Sequence, residues 1–117
     1  NPNHPEKHDP LHMPIIGRGP VLKTNANQRY ATDGISGAVL KELSDQSGIS
    51  CQNFVSKSDL ACGTTIGPIS AAELGITTVD IGNPMLSMHA IREQAGTSDH
   101  LAMIKLLTTF FDSKIVF

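Results

Sequence analysis

Tryptophan is absent from this chain of 117 residues, tyrosine occurs once and phenylalanine four times. A core built here must therefore be mostly aliphatic. Cysteine is nearly as scarce, with only Cys51 and Cys62. Two thiols exclude a disulfide framework, and a pair of reduced thiols in a cytoplasmic protein is the simpler reading. There is no excess of basic charge: nine Lys and Arg stand against eleven Asp and Glu, a net of -2. That argues against the basic face of a nucleic-acid binder. No apolar run approaches the roughly 18 residues of a membrane-crossing helix. The opening Asn1-Pro2-Asn3-His4-Pro5 is polar and proline-rich, unlike a secretory leader. Neither nucleic acid nor membrane is expected as a partner. We find no internal repeat and no low-complexity tract.

What is present fits one small domain with a real core. Residues 1–18 hold four of the seven prolines, which fix φ and remove donors, so an extended or looped lead-in is expected. Val21 to Asn25 reads as a short strand. Thr32 or Asp33 can cap a helix with Ile35, Val39, Leu40 and Leu43 inward, stopped at Gly48. A second strand is expected over Gln52 to Lys57. Ser58 to Gly67 is a loop of small and polar residues. Pro68 then starts a helix running to Leu74, with Gly75 after it. Ile76 to Ile81 is the clearest strand, being β-branched and bounded by glycines. A loop through Asn83-Pro84 follows. Thr97 or Ser98 can cap a last helix with Leu101, Ile104, Leu107 and Phe110 or Phe111 inward. Alternating strands and helices predict an α/β fold with parallel strands and right-handed crossovers. Three strands make a narrow sheet with unpaired edges, so the chain reads as a piece of a larger one.

Several residues are candidates for chemistry, each beside a plainer reading. His89 lies past the carboxyl end of the strongest strand, where sites gather in open α/β sheets. It is either a metal ligand or proton shuttle, or a loop histidine facing solvent, and position alone favours the second. Asp80 either orients a ligand or bonds backbone at a strand end. Asp59 reads as a turn residue. Cys62 lacks a histidine at a telling spacing, which weighs against a nucleophile. The loop from Cys62 to Gly67 precedes a helix N-terminus and can present N–H groups to an anion, though it lacks the ending of a phosphate-binding loop. Lys23 can attract a carboxylate, and Tyr30 can donate to an oxyanion; both also read as ordinary surface residues. His4, His8 and His12 would align on a helix, which Pro2, Pro5 and Pro10 disfavour.

Three ordered blocks then carry a resemblance. Gly19-Pro20-Val21-Leu22-Lys23-Thr24-Asn25-Ala26-Asn27-Gln28-Arg29-Tyr30-Ala31-Thr32-Asp33 resembles a signature stretch of the aspartyl aminopeptidases. So do Ser58-Asp59-Leu60-Ala61-Cys62-Gly63-Thr64-Thr65-Ile66-Gly67-Pro68 and Val79-Asp80-Ile81-Gly82-Asn83-Pro84-Met85-Leu86-Ser87-Met88-His89-Ala90-Ile91-Arg92-Glu93. Leu60-Ala61 departs from the Thr-Pro of some members, away from any implied ligand. Together the blocks cover nearly the whole chain.

The resemblance implies the three-layer α/β sheet of a zinc exopeptidase catalytic domain, with residues 1–117 as its C-terminal segment. It implies a two-zinc site and release of N-terminal Asp or Glu from peptides by a cytoplasmic homo-oligomer, a dodecamer in the family. His89 is then a zinc ligand, and Lys23 and Tyr30 contact the substrate. The other metal ligands and the general-base glutamate are expected upstream, in the remainder of the same subunit, so no catalytic residue lies in this chain and the isolated piece should be inactive. Three rival readings stand: a related aminopeptidase acting on neutral residues, a non-catalytic assembly fragment, and an anion- or nucleotide-binding α/β module.

Overall fold

Asp33 shows how directly local chemistry sets the architecture. Its carboxylate accepts the Ser36 N–H at 2.8 Å, while the Ser36 hydroxyl accepts the Asp33 N–H at 2.9 Å. This reciprocal cap starts a helix over Gly34–Ser47, which Gly48 ends in the left-handed conformation at φ 66°. In the computed structural model, residues 2–114 are described; Asn1 of the lead-in and residues 115–117 lie outside them. Their order is β1 (Val21–Thr24), α1 (Gly34–Ser47), β2 (Gln52–Val55), α2 (Gly67–Leu74), β3 (Ile81–Gly82), β4 (Met85–Leu86), β5 (Gln94–Ala95) and α3 (Thr97–Asp112). Before β1 the lead-in is irregular except for one 3-10 turn over Pro5–Lys7. Cys51 and Cys62 are both free thiols. No helix among the described residues is long and apolar enough to cross a membrane.

The α/β reading holds, but the strand directions need correction. The main sheet has the order β2-β1-β3. β1 and β2 run parallel, with Val21 opposite Gln52 and Lys23 opposite Phe54, and α1 is their crossover. β3 runs antiparallel to β1. The expected third parallel strand, Ile76 to Ile81, shortens to Ile81–Gly82. A parallel return requires a helix packed across the sheet, and α2 buries only Gly67. β4 and β5 form a separate two-stranded hairpin where a plain loop was expected.

One face of the sheet carries the core. Leu40 and Leu43 of α1 meet Leu106 of α3, with Leu22, Val39, Cys51, Val79 and Ile81 packed around them. Ile35, expected inward, is 64% exposed. The inward face of α3 also differs from the one its apolar spacing predicts. Leu101, Ile104, Leu107, Phe110 and Phe111 are exposed, while Leu106 is 1% exposed. Asp99 explains the difference. Its carboxylate is buried and accepts the N–H groups of Gly17 at 2.7 Å and Gly19 at 2.8 Å. Those bonds turn Asp99 inward, and Leu106, two turns on, follows it. The helix starts after Gly96 without a side-chain cap, so neither Thr97 nor Ser98 caps it.

Asp80 sets another close approach. A Cβ added at Gly67 would lie 2.3 Å from Asp80 Oδ2, whereas one at Gly63 would meet nothing within 4 Å. Gly67→Ala should therefore cost about 1–3 kcal/mol through crowding, and Gly63→Ala within about 0.5 kcal/mol. Denaturant unfolding of both variants checks this; equal stabilities would mean that Asp80 does not press on Gly67.

Candidate functional site

The face of the sheet opposite the core carries alternate side chains of β1 and β2, among them Lys23 and its register partner Phe54. Beyond Thr24 the chain turns back on itself because Asn25 organises it. The buried Asn25 side chain accepts the N–H groups of Asn27 at 2.8 Å and Arg29 at 3.3 Å. Its main-chain carbonyl accepts the Gln28 N–H at 3.1 Å, with Gln28 left-handed at φ 55°. The turn delivers Tyr30 to the sheet. There it is 8% exposed and packs edge-on against Phe54 at 6.3 Å. Lys23 Nζ stands 5.8 Å from the centre of the Tyr30 ring, within cation–π range.

The loop from Ser58 to Gly67 closes the other side. The Thr65 N–H and the Thr64 hydroxyl both donate to the Arg29 carbonyl, at 3.2 and 3.1 Å. The Asp80 carboxylate accepts the Ala31 N–H at 2.7 Å and the Thr65 hydroxyl at 2.9 Å. The Asp80 N–H donates to Thr32 Oγ1 at 2.9 Å. Asp80 thus bonds backbone and a loop hydroxyl, the plainer of its two readings. The loop brings Cys62 Sγ to 3.1 Å from the Tyr30 hydroxyl. Burial, and then the bond to Cys62, push the Tyr30 phenol above its usual value.

Lys23 and Tyr30 are therefore brought together, and His89 stands apart. It sits between β4 and β5 on an exposed turn, where Ser87 and His89 are both left-handed at φ 52° and 67°. The turn is closed by the Ala90 N–H on the Ser87 carbonyl at 3.0 Å and by the His89 N–H on the Glu93 carboxylate. Non-glycine residues held left-handed concentrate at functional sites.

The other candidates disperse. His4 pairs with Glu6 at 3.1 Å, His12 with Asp9, and His8 packs its ring on Phe54 at 6.1 Å. Asp59 lies in a turn, 3.9 Å from Lys57 Nζ. Cys62 donates to the Gly63 carbonyl at 3.2 Å, and no histidine among the described residues bonds to it. The start of α2 faces the Asp80 carboxylate, a charge that a phosphate would repel, which weakens the anion-binding reading. A cavity of about 710 Å³ is lined by residues that include Leu11, His12, Met13, Arg18 and Gln52, and touches none of Lys23, Tyr30 or His89. Sequence reasoning missed Asn25 and Phe54; the first carried a turn signal, while the second needed the strand register.

A family model described as aminopeptidase I zinc metalloprotease (M18) matches residues 1–111. The chain belongs to the M18 family. It is 48% identical over 97% of its length to a probable M18 family aminopeptidase 2 from Ectopseudomonas mendocina, and spans 26% of that protein. It is 47% identical over 96% of its length to an aspartyl aminopeptidase from Dictyostelium discoideum, and spans 23% of it. Among solved structures it is similar to the S. cerevisiae mApe1 dodecamer, with TM-score 0.83 and 35% identity, covering 96% of this chain and 24% of that one. The chain thus spans about a quarter of the length of these M18 relatives.

Zinc is the metal of the M18 family, and the donors here can be tested against it. Among the described residues no group of three His, Cys, Asp or Glu is arranged to hold a metal ion. His89 offers one exposed imidazole, whereas a catalytic zinc takes three protein ligands. By itself this chain does not fit a zinc centre.

Tyr30, the only tyrosine in this chain without tryptophan, gives a clean titration. Its phenolate absorbance should appear in the folded chain well above the ordinary midpoint of about 10 and return there on unfolding in urea. A raised folded value favours the neutral phenol. Its stabilisation is complete below about pH 10 and is lost as the pH climbs through the folded value. An ordinary midpoint in the folded chain would contradict the burial of Tyr30.

Proposed function

We propose that the complete subunit is a two-zinc aminopeptidase that releases N-terminal aspartate or glutamate, working in the cytoplasm as a homo-oligomer. The observation that carries this reading is the pairing of Lys23 with Tyr30. Lys23 Nζ stands over a buried aromatic ring, and no carboxylate among the described residues lies within ion-pair distance of it. An acidic substrate side chain supplies the missing partner, and desolvation beside Tyr30 strengthens that attraction. The 47% identity to an aspartyl aminopeptidase supports the choice of acidic substrates over neutral ones. The likeness to a dodecameric relative supports a homo-oligomer.

In this reading His89 contributes one imidazole ligand, and the remainder of the subunit contributes the other ligands and the general-base glutamate. Zinc held there would supply Lewis-acid chemistry, acidifying a water and polarising the scissile carbonyl. Lys23 attracts the acidic side chain and fixes the first residue of the peptide. The Tyr30 O–H donates to the oxygen on which negative charge develops. The exposed Leu101 and Phe111 of α3 fit a segment that packs on the remainder of its own subunit.

Lys23→Met in the complete protein tests the proposal. Met keeps most of the stem and removes the charge. The variant should lose on the order of 2–5 kcal/mol of transition-state stabilisation for Asp amides. Leu amides should lose much less, because they no longer bury an unpaired ammonium. The measurement is the ratio of kcat/KM for the two substrates. An unchanged ratio would move acidic selectivity out of Lys23.

A further inference from the structure

The Tyr30 hydroxyl has one bonding partner among the described residues, Cys62 Sγ at 3.1 Å. The same sulfur donates its only proton to the Gly63 carbonyl at 3.2 Å. With that proton committed, the contact to Tyr30 runs from the phenol O–H to the sulfur lone pair. A thiol sulfur is a weak acceptor. It can therefore aim the phenol O–H and still release it to a more negative oxygen. A carboxylate or carbonyl in the same place would hold the proton more tightly.

The position of Cys62 does not depend on that contact. Its loop is pinned to Arg29, the residue before Tyr30, by the Thr65 N–H and the Thr64 hydroxyl. Thr65 is further tied to Asp80, which also holds Ala31, the residue after Tyr30. The thiol is thus presented to the phenol by bonds on both sides of the tyrosine, none of which uses sulfur. The ring itself meets Phe54 and the Lys23 ammonium, which fix its plane but not its hydroxyl.

We propose that Cys62 is a positioning residue for Tyr30, aiming the phenol O–H for the oxyanion of the aminopeptidase reaction. This rests on the role given to Tyr30 under the proposed function. Cys62 acts through Tyr30 and takes no part as a nucleophile, since no histidine among the described residues bonds to it.

The test is a double-mutant cycle in the complete, zinc-loaded protein with an Asp amide as substrate. Cys62→Ala should lower kcat about five- to tenfold, the size of one lost hydrogen bond, with KM nearly unchanged. Cys62→Ser, which keeps an acceptor on a shorter bond, should recover most of that loss. Tyr30→Phe should lower kcat more than Cys62→Ala, and adding Cys62→Ala to it should lower kcat no further. Losses that multiply in the double variant, or a Cys62→Ser variant as slow as Cys62→Ala, would overturn the positioning role while leaving Tyr30 in place. A Tyr30→Phe variant with wild-type turnover would remove Tyr30 from the reaction, and the proposal with it. Far-ultraviolet circular dichroism of each variant checks the fold independently; a Cys62→Ala variant that loses its fold would overturn the proposal, because the loop bonds do not involve sulfur.

Discussion

The Asp80 carboxylate joins segments 49 and 15 residues away in sequence, through the Ala31 N–H and the Thr65 hydroxyl. Its own N–H holds Thr32, and its carbonyl accepts the Lys23 N–H at 2.9 Å, extending the ladder between β1 and β3. One residue therefore fixes the end of β1, the turn that delivers Tyr30 and the loop that delivers Cys62. Without it Lys23 would still point from the sheet, but the Tyr30 ring beside its ammonium and the Cys62 thiol at the Tyr30 hydroxyl would each lose an anchor. A carboxylate that accepts several hydrogen bonds is among the stronger neutral-pH anchors a loop can have. That strength suits a place where two irregular segments must meet without a helix between them.

A second carboxylate plays the matching part on the far side of the chain. Asp99 gathers the Gly17 and Gly19 amides, which binds the proline-rich lead-in to α3. Gly19 is left-handed at φ 91°, and a side chain there would run into the Ser50 carbonyl. The two anchors divide the work. Asp99 sets the roll of the last helix and seats the core, and Asp80 ties together the segments that carry Tyr30 and Cys62.

The sequence made some of this legible and hid the rest for physical reasons. The ends of α1 and α2 could be read because Asp33, Gly48, Pro68 and Gly75 act within one turn of the backbone they control. The inward face of α3 could not, because a polar residue, Asp99, decides it through partners 80 and 82 residues away. The β-branched run at Ile76 to Ile81 has the propensity of a strand, yet only its end pairs, since β1 offers one free edge and Asp80 turns its carboxylate to the loops. At the site, spacing alone left Lys23 and Tyr30 among ordinary surface residues. The family motifs raised them, and the fold puts the two within cation–π distance. His89 had its motif and its place past the carboxyl end of a strand; the left-handed turn that presents it leaves no periodic signal in the sequence.

The central claim is that this quarter of an M18 subunit delivers one zinc ligand, His89, to a centre completed by the remainder of the subunit. The most direct measurement is zinc retention by the complete protein under a chelator, comparing wild type with His89→Ala. Loss of an imidazole ligand should weaken retention by at least about tenfold, and activity restored by excess zinc should remain far below wild type. Unchanged retention together with near-normal turnover at limiting zinc would contradict the claim.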